Sequence, residues 1–195
     1  MLMTFLALVA TAPLHFDCAG PVTPHTSAAA LLGQYGKDAR RETLRGPDGQ
    51  MSHAVVLYPD DPSRRLEIVY WDAAQTAVER VTAGARAVAW RGPLGLHAGS
   101  PLLEVIAANG HNFGISGFDW DYSGYVTNGW GGKLSTLDGG CAVQVRFGLA
   151  GKAPRAIQGD LDLNSTLPAV RAADPHVVEL SIGWPLPAGV KAVGG

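Results

Sequence analysis

The chain has 195 residues, 47% hydrophobic and 16% charged, which excludes a disordered polymer. Its net charge of -2, with no dense Lys/Arg patch, excludes a nucleic-acid binder that works through phosphate contacts. Its 25 Gly and 13 Pro favour turns and short strands over a helical bundle.

The first twelve residues, MLMTFLALVATA, form an apolar run that ends in small residues, with Ala10 and Ala12 placed as before a cleavage point. The run is too short for a membrane-spanning helix, so no integral span is expected. It reads as a secretory signal without a lipid anchor; the alternative is a buried N-terminal strand. A periplasmic or secreted location follows from the first reading. Residues 13–25 are a Pro-rich arm holding Cys18, whose only possible partner is Cys141. In an exported protein the pair is expected to bridge, tying the arm to a core strand; the alternative is one buried thiol and one exposed one.

Thr26 to Gly36 reads as a short helix, capped by Thr26 or Ser27 and stopped by Gly36. SHAVVLYP and RRLEIVYWD follow as a hairpin around a polar turn, and VERVTAGARAVAW as a further strand pair ending at Trp90. A second short helix is expected over Gly99 to Gly110, with Ser100 as its N-cap, Pro101 in its first turn and Asn109-Gly110 as its stop. HNFGISGFDW, YVTNGW and CAVQVRFG read as strands, Leu167 to Ala173 as a helical turn and Val177 to Trp184 as a last strand. Helix, hairpin and strand thus occur twice. The expected fold is one α+β domain over 26–187, built of two similar helix-plus-antiparallel-meander halves (26–91 and 92–187), with a flexible tail at 188–195.

The Gly-Ser start, the short helix ending in Asn-Gly and the following meander resemble the modules of the β-lactamase-inhibitor proteins. They also resemble the small lipoprotein subunit of the outer-membrane barrel-assembly machine. NGHNFGISGFDWDYSGYV together with GGKL is similar to a family of uncharacterised bacterial exported proteins, over about residues 30–184. The first two resemblances imply a helix packed on an antiparallel sheet that binds another protein. The third brings no catalytic residues with it.

Gly117 to Trp130, GFDWDYSGYVTNGW, is the densest chemistry in the chain. Asp119, Asp121 and Ser123, followed by Gly124, match the first half of a calcium loop, whose alternate oxygens converge on the ion. Trp130 stands where such a loop needs a closing carboxylate, and the fragment Asp160, Asp162, Asn164 lacks both the turn glycine and the closing Glu. The preferred reading is a β-hairpin: Phe118, Trp120 and Tyr122 alternate with Asp119 and Asp121, whose carboxylates face water. Phe113 and Ile115 have the opposite parity, so a bulge or kink is expected near Ser116-Gly117. Trp120, Tyr122, Tyr125 and Trp130 on this segment, with Lys133 beside it, are candidate anchors for a partner or for a sugar ring.

Signals for catalysis are sparse. His53, His97, His111 and His176 have no zinc spacing; HAGS at His97 to Ser100 reads as a helix cap, and NGWGGKL lacks the P-loop ending. Asn164 opens an Asn-Ser-Thr glycosylation pattern. The leading expectation is a non-catalytic binding or inhibitor-like protein acting on another envelope protein through this hairpin, with no cofactor. The alternative is a carbohydrate or cell-wall ligand binder, in which calcium takes part. An envelope hydrolase would need Asp119 or Asp121 beside His111.

Overall fold

Period-two alternation builds most of this protein. The computed structural model describes residues 13–46, 49–135 and 137–192; the apolar leader 1–12 and the last three residues of the tail lie outside them. In chain order the arm supplies β1 (Leu14–His15), followed by α1 (Ala28–Tyr35). Ser27 Oγ accepts the Ala30 N–H (3.2 Å), satisfying one of the donors left over at a helix start, and Gly36 closes the helix at φ 54°. Four strands then run in succession: β2 (Ala39–Arg45), β3 (Met51–Leu57), β4 (Leu66–Tyr70) and β5 (Val78–Gly84). After β6 (Trp90–Arg91), α2 (Leu102–Asn109) ends at Gly110 in the left-handed region. The remainder is β7 (Gly114–Ser116), β8 (Val126–Thr127), β9 (Ala142–Gly148), β10 (Asp162–Asn164), α3 (Pro168–Ala172) and β11 (His176–Gly183).

Three helices and eleven strands in three sheets, among the described residues, make an α+β fold. The largest sheet is antiparallel with six strands in the order β2-β3-β4-β5-β11-β9. A three-stranded sheet has the order β10-β7-β8, and β1 pairs with β6. Each half of the chain opens with an eight-residue helix. The first half then lays down four neighbouring strands, and the second divides its strands between two sheets.

The register of the large sheet aligns its side chains in rows. Val55, Ile68, Val81, Ile182 and Val143 face one another across five strands on the inner side, and Leu57, Leu66, Ala83, Leu180 and Val145 form the next inner row. All ten are buried. Burying a Leu or Ile side chain contributes roughly 1.5–3 kcal/mol, so these rows set the register: a slip by one residue would turn them all to water. The inner rows join Leu31, Leu102, Val105, Phe113, Ile115, Trp130 and Phe147 in one core.

The arm belongs to that core. Phe16, Cys18 and Val22 are buried, and the Phe16 ring meets Trp90 edge-on at 6.0 Å. Cys18 and Cys141 form a disulfide with a Cα–Cα distance of 5.4 Å, joining the arm to the start of β9. Closing a loop of that length is worth about 4–5 kcal/mol in chain entropy.

Three expectations are corrected. VERVTAGARAVAW is not a strand pair of its own: β5 pairs with β4 and β11, and β6 pairs in parallel with β1. Ser100 does not cap α2, whose N-cap position is Pro101 without a side-chain bond. The β7 strand ends at Ser116, and residues 119–124 are bends and turns, so Phe118, Trp120 and Tyr122 are not an alternating strand. The chain leaves the sheet at Gly117 because that residue lies against the 157–161 segment: its N–H donates to Leu161 O (2.8 Å), and a Cβ there would strike the Gly159 carbonyl.

Candidate functional site

The outer side of the large sheet is where the molecule departs from an ordinary two-sided core. One row across all six strands reads Arg40, Val56, Glu67, Thr82, Ser181, Gln144; its neighbour reads Glu42, Ala54, Val69, Arg80, Gly183, Ala142. Over β2 to β4 this face is closed by ion pairs. Arg65 donates through Nη2 to Glu42 Oε2 (2.6 Å) and through Nε to Glu67 Oε1 (2.8 Å), and Arg40 Nε donates to Glu42 Oε1 (2.8 Å). Because Glu42 lies on β2 and Arg65 at the start of β4, the Arg65 side chain must cross β3. Val56, on β3 between Arg40 and Glu67, is 0% exposed although it points away from the core. Hydrogen bonds first from Arg65 and then from Arg40, working against burial, hold the Glu42 carboxyl below its ordinary range.

Beyond β4 the same face is open. A hollow of about 570 Å³ is lined by Glu67, Arg80 and Thr82 on one side, and by Gln144, Arg146, Glu179 and Ser181 on the other. Leu44, Arg45 and Ser52 from the far end of the β2–β3 hairpin line it too, as does Tyr125 beyond β9. Both edges of a six-stranded sheet therefore wall one space, which requires the sheet to curl and the hairpin end to lean over the outer face. A second hollow of about 450 Å³ shares Arg80, Gln144 and Ser181 with the first and continues to Trp71, Trp184 and Pro185. The result is one trough, charged in the middle and apolar at one end.

Two features of the trough are unbalanced. Arg146 Nη1 stands 4.0 Å from Glu179 Oε2, and Arg146 Nε is buried without a hydrogen-bond partner. Burial pushes the Glu179 carboxyl up, with Arg146 and Arg80 acting in the opposite direction and Glu67 reinforcing the rise. Arg146 also lies 5.7 Å from the centroid of the Tyr125 ring.

The structure separates the residues singled out from sequence. Tyr125 forms an antiparallel bridge with Arg146, which puts its side chain on the outer face at the rim of the trough. Gly124 makes this possible: its carbonyl accepts the Phe147 N–H (2.7 Å) at φ 75°, and a Cβ there would run into the Phe147 carbonyl. Trp120 donates Nε1–H to Gly117 O (2.9 Å) and meets Tyr122 edge-on at 5.7 Å; Tyr122 is 45% exposed. Trp130 is 6% exposed, donates to Val143 O (2.9 Å) and packs on Phe113 at 4.9 Å, so its ring belongs to the core. Lys133 is exposed in a 3-10 turn over Lys133–Ser135, beside the end of α2. The Asn109 side chain holds this region together, donating to His111 O and Trp130 O and accepting the Leu134 N–H.

Asp119, Asp121 and Ser123 lie in the turn. Asp119 adopts φ 59°, and its Oδ2 accepts the Ala153 N–H (2.9 Å), which commits one of the oxygens a calcium loop needs to the protein's own backbone. Among the described residues no three His, Cys, Asp or Glu side chains are placed to share a metal ion. His111 shares a hollow with Asp162, not with Asp119 or Asp121. The HAGS motif forms a hydrogen-bonded group: Ser100 Oγ donates to Glu104 Oε1 (2.7 Å) and lies 2.6 Å from His97 Nδ1. With the hydroxyl proton given to Glu104, the short bond takes its hydrogen from His97 Nδ1. The imidazole is thereby a donor to Ser100 rather than its base, and Ser100 is fully buried.

Sequence reasoning passed over Arg80, Thr82, Gln144, Arg146, Glu179 and Ser181. Their signal was present as polar residues at alternate positions in VERVTAG, AVQVRFG and VVELSIG. What assembles them is the pairing of β5 with β11 and of β11 with β9, at sequence separations no local pattern records.

No helix among the described residues is long and apolar enough to cross a membrane. Compared with family models, curated proteins and solved structures, the chain matches none.

Proposed function

We propose that this is an exported, non-catalytic binding protein that acts on another protein of the cell envelope through the open outer face of its six-stranded sheet. The observation that carries the reading is the trough itself: a central sheet face left uncovered, with both sheet edges walling one hollow. The Cys18–Cys141 disulfide supports the exported setting. Tyr125 links the trough to the aromatic turn, so Trp120 and Tyr122 extend the same contact surface past β9.

A photo-crosslinking residue placed at Gln144, compared with one at the exposed Lys152, tests this in cells. A discrete protein adduct formed from position 144 and not from 152 is the expected result. Equal adducts from both positions, or none from 144, would count against the reading. A carbohydrate ligand is the second reading, resting on the exposed Tyr122 and the half-buried Trp120 packed edge-on against it. Quenching of Trp fluorescence by cell-wall oligosaccharides, abolished in Trp120→Ala, would move the assignment there.

A further inference from the structure

We propose that the segment this face receives is an extended acidic peptide, its carboxylate seated between Arg80 and Arg146 and an adjacent apolar side chain lying toward Trp71 and Trp184. The inference rests on the binding reading above and names the chemistry of its occupant.

Charge is the first argument. The chain as a whole is negative, at -2, but arginines outnumber glutamates in the central hollow: Arg45, Arg80 and Arg146 against Glu67 and Glu179. Glu67 is already bonded by Arg65 (2.8 Å). Glu179 reaches Arg146 only at 4.0 Å, too far for a hydrogen bond, and Arg80 is bonded by Nη1 to its chain neighbour Glu79 (2.9 Å). The central hollow, with one arginine in excess over its glutamates, attracts an anionic group.

The second argument is the buried Arg146 Nε, which has no hydrogen-bond partner. A buried N–H left unmet is unfavourable, and a turn of the partly exposed guanidinium toward a ligand acceptor would relieve it. A carboxylate suits an arginine because it accepts two parallel N–H bonds. The hydroxyl of Thr82 and the amide of Gln144, in one row across the floor, supply further polar contacts for a peptide backbone. The third argument is continuity. The charged hollow runs into the apolar one through Arg80, Gln144 and Ser181, so an apolar group next to the acid finds Trp71, Pro185 and the edge of Trp184. A trough open along its length admits an extended segment, which an enclosed pocket would not.

The test is selection from a displayed library of random short peptides on the full chain, with soluble Arg80→Gln, Arg146→Gln double variant as competitor. Winning peptides are synthesised with their acids and with the matching carboxamides, and binding is read by fluorescence anisotropy. Winners that carry Asp or Glu beside an apolar residue, lose at least about tenfold in affinity as carboxamides and weaken with added salt are the expected outcome. Gln144→Trp, an exposed position whose ring would fill the floor, serves as a blocked variant that does not disturb the core; its melting curve checks the fold. If winners are insensitive to the carboxamide swap but fail on Gln144→Trp, the acidic occupant is refuted while the binding face stands. If nothing is enriched, or winners bind Gln144→Trp as they bind the wild type, the face falls with it. A salt-sensitive self-association removed by Arg80→Gln would name a second copy as the occupant and overturn the proposal.

Discussion

Over β2 to β4 the outer face of the sheet carries Arg40, Glu42, Arg65 and Glu67, and over β5, β11 and β9 it carries Arg80, Arg146 and Glu179, yet the two charged regions behave as opposites. On the first side Glu42, Arg65 and Glu67 meet at 2.6–2.8 Å across β3, where Val56 is fully buried on the outer face. On the second side the nearest cross-strand pair, Arg146 with Glu179, stands at 4.0 Å, one guanidinium nitrogen has no partner, and the space above the floor is open. The lesson is that charge on a sheet face does not by itself mark a binding surface. Charges satisfied by one another close a face; those left incompletely paired keep it available.

The sharpest way to break this contrast is to put a charge under each side. Val56→Asp buries a carboxylate beneath the ladder, between β2 and Glu67, with no cation free to receive it, and should destabilise by about 3–5 kcal/mol. Thr82→Asp, one residue of the same row on the open side, should cost less than about 1 kcal/mol. Chemical denaturation of the two variants measures the difference, and equal losses would show that the open face is no more open than the sealed one.

The rim depends on Gly124. Gly124→Ala combines an unfavourable φ of 75° with a collision against the Phe147 carbonyl, and about 2–4 kcal/mol of lost stability is expected. Hydrogen exchange should rise in residues 117–127 while β3 and β4 stay protected.

The ladder itself should be worth less than the floor it covers. Glu42→Gln is expected to destabilise by about 1–2 kcal/mol at neutral pH. Since the Glu42 carboxyl is held below its ordinary value in the fold, its contribution is present above the unfolded carboxylate pKa and is lost as pH falls through the folded one. Wild type and variant should therefore converge in acid.

The smallest effect is expected at Glu179, and with the opposite sign. Its carboxyl is raised chiefly by burial, so the ionised form disfavours the folded state above the shifted pKa. Glu179→Gln should stabilise by about 0.5–1 kcal/mol at neutral pH, and the gain should vanish below the ordinary carboxylate pKa. Loss of stability at neutral pH would mean that Glu179 is a working partner of Arg146, and the open side would then be better satisfied than its geometry implies.

Local chemistry made several parts of this legible beforehand. Ser27, Gly36 and Gly110 end the helices where their types predict, because a cap or a left-handed residue acts within one turn. The β3–β4 hairpin was readable from alternation around a polar turn, and the Cys18–Cys141 pairing from there being only two cysteines. The acidic aromatic segment was not. Its alternating pattern imitates a strand, but Gly117 and Gly124 are each held by backbone from far along the chain, and the residues between them must turn. The candidate anchors were separated for the same reason: Tyr125 is carried to the trough by its bridge to Arg146, and Trp130 is drawn into the core by Phe113 and Val143.

By itself, then, the sequence determined the α+β class, the start of α1 and the glycine stops of α1 and α2, the two-faced strands and the single bridge, since each follows from interactions a few residues long or from a count of two. Only the tertiary structure decided which polar strand faces lie side by side, that ion pairs seal one and leave the next open, and that Arg80, Arg146 and Glu179 share a hollow. Those outcomes depend on pairings between strands up to about a hundred residues apart, where register and sheet curl, not local preference, choose each side chain's neighbours.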